Sequence, residues 1–109
     1  MVLTAALGLL GGLLVGNGVP HFAAGVTGRP YPSVAGNGPV ANAVSGWGLL
    51  VLGALVLTRP DYAGHGAAAF AAVAAGVLAM AVFHAAGGAR RVNRLAGRPV
   101  PAHPAAPGA

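Results

Sequence analysis

The side chains best suited to chemistry in this chain are two histidines, His21 and His84, and three polar residues, Asn17, Tyr31 and Asn42. Two imidazoles at similar depth in a membrane could ligate a haem iron or another metal ion. Asn17, Pro20, His21, Tyr31, Asn42 and Trp47 together read as a polar corner around an interruption of the helices. Such a corner either satisfies itself, with amide and imidazole bonding loop carbonyls, or offers a small-solute or ion site at a broken helix. The self-satisfying reading is preferred, because the single acidic residue, Asp61, lies far along the chain beside Tyr62 and His65. Coupled transport relies on Asp or Glu inside the membrane. His84 falls with Phe70, Val73, Val77 and Met80 on the large-residue side of its apolar run. There it is expected to reach headgroups or last-turn carbonyls rather than a neighbouring helix. No nucleophile accompanies an activating base, so no enzymatic activity is expected. With no cysteine, thiol catalysis and thiolate metal sites are excluded, and neither a metal nor a cofactor is expected.

These groups are set among three apolar runs, roughly residues 1–16, 40–58 and 66–86, which hold none of the seven formally charged side chains. Charged residues make up 6% of the 109, against about 25% in a soluble domain, and mean hydropathy is +0.74. Segments that exclude charge suit a solvent that cannot hydrate ions. The expected fold is an all-α membrane protein with three transmembrane helices, over about 2–18, 40–58 and 66–87, in a domain covering 1–89. The amino-terminal run lacks a basic flank, so an uncleaved helix is expected rather than a signal peptide.

Val19 precedes Pro20 and is pushed out of the α region, so the first span should stop there. Within the 19–39 loop, Pro20 as a first helical residue and Gly28 as a stop predict a short interfacial or re-entrant helix over 20–27. Arg29-Pro30-Tyr31-Pro32 forces an extended stretch beyond it. Two small-residue stripes stand out: Gly8, Gly12 and Gly16 on the first span, and Ala68, Ala72, Ala75 and Ala79 on the third. Both are of the kind that lets helix backbones approach closely. Trp47, between Gly46 and Gly48, is expected to pack against a neighbouring helix instead of lying at headgroup level.

Residues 90–109 read as a basic then Pro/Ala-rich disordered tail. Its Arg90, Arg91, Arg94 and Arg98 suit anionic headgroups and topology determination better than nucleic acid. Five of six arginines fall in the first loop and the tail, which places that side in the cytoplasm and the amino terminus outside. The Ala-, Gly- and Arg-rich composition points to a bacterial inner membrane.

The string Asn17-Gly18-Val19-Pro20-His21-Phe22, then Gly25, Gly28, Pro30-Tyr31-Pro32, Asn42 and Gly46-Trp47-Gly48, resembles an uncharacterised family of small bacterial polytopic membrane proteins. The resemblance covers about residues 1–58. It implies that the Pro-His corner is a shared design, and it carries no activity with it. The expected role is therefore non-catalytic: association with the bilayer, other subunits or itself, as an accessory or stabilising subunit or a homo-oligomer. The alternatives are an oligomeric channel or transporter lined by Asn17, His21 and Asn42, and a haem- or quinone-adjacent respiratory subunit.

Overall fold

The computed structural model describes residues 1–102 and is all-α. Three long apolar helices, α1 (Val2–Val26), α2 (Pro39–Val56) and α3 (Tyr62–Ala85), are each long and apolar enough to cross a membrane. A short fourth helix, α4 (Gly88–Leu95), follows. The expected fold class holds. Residues 103–109 of the tail lie outside the described residues.

The first span does not stop at Val19: α1 runs through Pro20 to Val26, and the separate 20–27 helix is its last two turns. Proline's local cost is outweighed by packing of the turns that follow it. Phe22 and Gly25 lie against α2 so closely that a Cβ on Gly25 would strike the backbone of Ala43, and one on Gly46 that of Phe22. Gly28, in the left-handed region at φ +70°, then ends the helix, as the sequence suggested. At the start of α3, Asp61 caps the helix by accepting from the Gly64 N–H at 2.8 Å. His65 leaves helical geometry (φ −140°, ψ 37°), so the regular span begins at about Gly66.

α1 is the centre of the fold. It packs on α2 along one side and on α3 along another, whereas α2 and α3 do not pack on each other. Glycine makes both contacts possible. Toward α3, Gly8 meets the Ala69 carbonyl, Gly12 the backbone of Val73, and Gly16 Met80. Toward α2, a second series at heptad spacing, Gly11, Gly18 and Gly25, meets Leu57, the Gly46 carbonyl and Ala43. Lipid tails offer no solvophobic drive between helices, so such close backbone approach supplies the contact area that holds them together.

On α3 the contact face differs from the expected alanine stripe. Ala72 touches Gly8, but Ala75 and Ala79 are exposed and Ala68 is half-buried. The buried residues are Ala69 and Gly76. At about 100° per residue, the line Ala69–Val73–Gly76–Met80 lies roughly a quarter turn from the line Ala68–Ala72–Ala75–Ala79. Gly76 sets the rotation, because its hydrogen is all that fits against the Leu9 carbonyl, where a Cβ would come within 2.6 Å. The opposite, outward stripe of Ala67, Ala71, Ala74, Ala81 and Ala85 is exposed.

The start of the tail is ordered, not coil. Gly87 (φ +80°) breaks α3, and α4 turns Ala89 and Asn93 inward while Arg91 and Arg94 stay exposed. An arginine-rich face opposite a buried one suits a helix at the membrane interface. The chain then returns over the first loop: Arg90 donates to the Pro101 carbonyl at 2.7 Å, and Asn37 to the Pro99 carbonyl at 2.7 Å.

Candidate polar site at the loop end

Apart from Thr4, which accepts from the Asp61 N–H at the opposite end, the buried polar side chains gather at the end of α1 nearest the first loop. His21 is 8% exposed and Asn42 fully buried, and His21 Nδ1 lies 2.7 Å from Asn42 Oδ1. Four backbone carbonyls surround Asn42 Nδ2: Tyr31 and Gly38 at 3.0 Å, Asn37 at 3.1 Å and Gly36 at 3.3 Å. Those acceptors fix the amide, so Oδ1 must accept and His21 Nδ1 must donate. One buried amide on α2 thereby orients a histidine on α1 and folds the 31–38 loop over both.

His84 belongs to the same cluster, contrary to the expectation that it faces away from helix partners. Its line on α3, Val73–Met80–His84, is the face turned toward α1. Nε2 lies 2.8 Å from Asn17 Oδ1, and Nδ1 lies 2.9 Å from the Tyr31 hydroxyl, both within hydrogen-bond reach. The His21 ring stands edge-on to both partners, with centroids 5.1 Å from Tyr31 and 5.4 Å from His84. Tyr31 sits in the loop, outside the spans, and burial raises its phenol pKa above the ordinary value. It therefore stays neutral and able to donate.

Of the six residues assigned to the corner, the structure brings four together: Asn17, His21, Tyr31 and Asn42. Pro20 stands beside them within α1 and makes no break. Trp47 is elsewhere, 59% exposed on the outer side of α2. Gly46 occupies the α1 contact, and the next residue is turned about 100° from it.

Three further polar residues join the site. Asn37 Oδ1 accepts from the Ser33 N–H at 3.0 Å and from Asn93 Nδ2 at 2.8 Å. Asn93, 1% exposed, also donates to the Pro99 carbonyl at 3.1 Å. Ser33 is buried, and its hydroxyl accepts from the Ala35 N–H at 3.1 Å. In sequence, Asn37 between two glycines signals no more than a turn, and Asn93 stands among arginines. The available signal was the spacing of Ala89 and Asn93, one helical turn apart on the uncharged side of α4.

Because α2 and α3 lean on α1 and not on each other, a cleft of about 590 Å³ remains between them. Asn17, His21 and His84 line it, between walls of Leu49 and Leu52 on α2 and Met80 and Phe83 on α3. Residues 32–35 and α4 close its loop end. Among the described residues no three His, Cys, Asp or Glu side chains gather as a metal set. His84 uses both ring nitrogens in hydrogen bonds, so ligation through either one would break the bond that nitrogen makes.

Compared with family models, curated proteins and solved structures, the chain matches none. Its chemistry is read from its own geometry. The arrangement can pin a loop and two helix ends with hydrogen bonds that cross from α1 to α2 and to α3. It can also present a polar floor to an apolar molecule in the cleft.

Proposed function

We propose that this small three-span membrane protein acts by association, without catalysis, as an accessory or stabilising subunit or a homo-oligomer in a bacterial inner membrane. One observation carries the reading. α3 is alanine-rich and packs on only one of the other two spans, so that 11% of its most apolar stretch is buried, against 33% for the central α1. Leucine, isoleucine, phenylalanine and valine each favour insertion by about 0.3–0.6 kcal/mol, and α3 has few of them. Its outward alanine stripe leaves room for another helix backbone. The glycine faces of α1 are consumed inside the chain. The arginine-rich loop and α4 end lies in the cytoplasm under the positive-inside rule, with the amino terminus outside.

The polar cluster supports this reading more than transport. Its imidazoles and amides bond one another, and beyond Asn17 toward the amino terminus the centre of α1 is glycine and leucine packed on both neighbours. Native mass spectrometry from mild detergent tests the proposal. The expected result is a complex, with itself or another membrane protein, that Ala71→Leu with Ala74→Leu dissociates while the monomer stays folded. A lone monomer for the unaltered chain overturns it. Reagent access to single cysteines introduced at residues 2 and 96 tests the orientation.

A further inference from the structure

The cleft between α2 and α3 contains a buried acceptor that nothing in the chain satisfies. Asn93 is 1% exposed and lines the cleft, and its Oδ1 has no hydrogen-bond partner among the described residues. Turning the amide over does not help. The Ser33 N–H fixes Asn37 Oδ1 as an acceptor, and that oxygen and the Pro99 carbonyl both require the nitrogen of Asn93. A buried acceptor without a donor costs about 1–3 kcal/mol, so such groups mark bound water or a ligand.

A second acceptor opens on the cleft. His21 spends its Nδ1 hydrogen on Asn42, and in the neutral ring Nε2 then carries a lone pair with no partner among the described residues. His21 lines the cleft as well. Two acceptors at the polar end of an apolar cleft select for a molecule with hydrogen to give. A carboxylate or an ester carbonyl would set acceptor against acceptor. At about 590 Å³ the cleft falls within the range of sites that hold drug-sized molecules. Its walls, Leu49, Leu52, Met80 and Phe83, are apolar. Since α2 and α3 do not pack on each other, entry from the bilayer core is open.

We propose that this cleft is a binding site for an apolar molecule with a hydroxyl head group, the hydroxyl donating to Asn93 or His21 and the hydrocarbon lying between α2 and α3. The site stands independently of the association reading, since it lies on the side of α3 that the outward alanine stripe does not reach.

The test uses the full chain in nanodiscs and a photoactivatable diazirine derivative of 1-dodecanol, with labelled peptides mapped by mass spectrometry. Saturable labelling of the segments around Leu52 and Phe83 is expected. Excess 1-dodecanol should compete it away, and dodecyl methyl ether, which has no hydrogen to donate, should compete at least tenfold more weakly. Gly48 lines the cleft, and a Cβ there meets nothing within 4 Å, so Gly48→Leu should fold normally and abolish labelling. Asn93→Leu should weaken competition by the alcohol about tenfold and leave that by the ether unchanged. Should Asn93→Leu fail to fold, the alcohol–ether contrast and Gly48→Leu decide alone. Equal competition by alcohol and ether, or labelling indifferent to Gly48→Leu, overturns the proposal and leaves a lipid-filled groove with water on Asn93.

Discussion

His21 on α1 donates from Nδ1 to Asn42 Oδ1 on α2 at 2.7 Å, and the same Asn42 amide holds four carbonyls of the intervening loop. One side chain thus joins two spans and the segment between them. Asn42→Ala would leave the imidazole N–H and the loop carbonyls without their partner in a place water does not reach. A loss of about 2 kcal/mol or more is expected, above the ~0.6 kcal/mol average for hydrogen bonds between membrane helices, because several bonds fail together. Reversible unfolding in mixed micelles measures it. Asn42→Asp keeps only the acceptor and should not restore stability. A change below 0.5 kcal/mol would show that the loop holds itself.

The same bond fixes the imidazole's state. Nitrogen NMR on histidine-labelled protein should find a hydrogen on Nδ1 of His21. In Asn42→Ala that preference should vanish. An Nδ1 of His21 without hydrogen in the unaltered protein would contradict the orientation that the four carbonyls impose on Asn42.

Glycines divide into those the packing requires and those it does not. Gly76 faces the Leu9 carbonyl and the Leu13 N–H, and a Cβ would lie 2.6 and 2.8 Å from their backbone atoms. Gly76→Ala should therefore force α1 and α3 apart and cost about 1–3 kcal/mol, the range for overpacking. Gly66 is also in α3, but a Cβ there meets nothing within 4 Å. Gly66→Ala should be neutral or stabilise by up to about 1 kcal/mol, through helix propensity. Equal effects from the two would sink the close-approach account.

This division explains why the sequence disclosed the spans more clearly than their contacts. Exclusion of charge marks a membrane helix whatever its neighbours do, and Gly28 ended its helix as read. The rotation of α3 was not visible, because alanine is compatible with both a packed and a lipid-facing position. Gly76, one residue beyond the Ala75 position of the presumed stripe, outweighed four alanines, since only it lacks the Cβ that would strike Leu9. His84 was misplaced by the same quarter turn. Pro20 misled in another way: a local preference for ending the helix lost to packing of Phe22 and Gly25 on α2. Asn17, His21, Tyr31 and Asn42 were recognisable because polar groups in an apolar chain must find partners. Asn93 was harder to recognise, because its one signal, the pairing with Ala89 on the uncharged side of α4, is carried equally by a solvated helix beside arginines.

Trp47 is the lone tryptophan and is 59% exposed on the outer face of α2, where the surrounding Val44 and Val51 are also exposed. In a monomer in lipid it should be quenched strongly by brominated acyl chains and weakly by aqueous acrylamide. Were Trp47 packed against a helix of the same chain, brominated lipid would quench it little. Because α2 is buried over only 17% of its span, partner binding on this side would give the same protection, but only at high protein-to-lipid ratio. A dilution series in liposomes separates the two.

At the other end of the molecule Asp61 caps α3 and is the only acid in the chain. The Gly64 N–H first, and the His65 imidazole second, hold its carboxyl below the usual carboxylate value. A depressed folded-state pKa means that the unfolded chain binds the proton more readily. The contribution to stability is therefore present above the ordinary value of about 3.9 and is lost as pH falls through that value toward the lower folded one. Protection of the Gly64 and His65 amides, taken relative to the intrinsic exchange rate at each pH, should fall over this acid window, while the spans stay protected. Asp61→Asn retains an acceptor for the cap but cannot titrate, so it should keep that protection and remove its fall with pH. Asp61→Ala should speed exchange at every pH. The carboxyl's exposure makes the effect small and local, so an acid-induced loss of the whole fold that depends on Asp61 would contradict this placement.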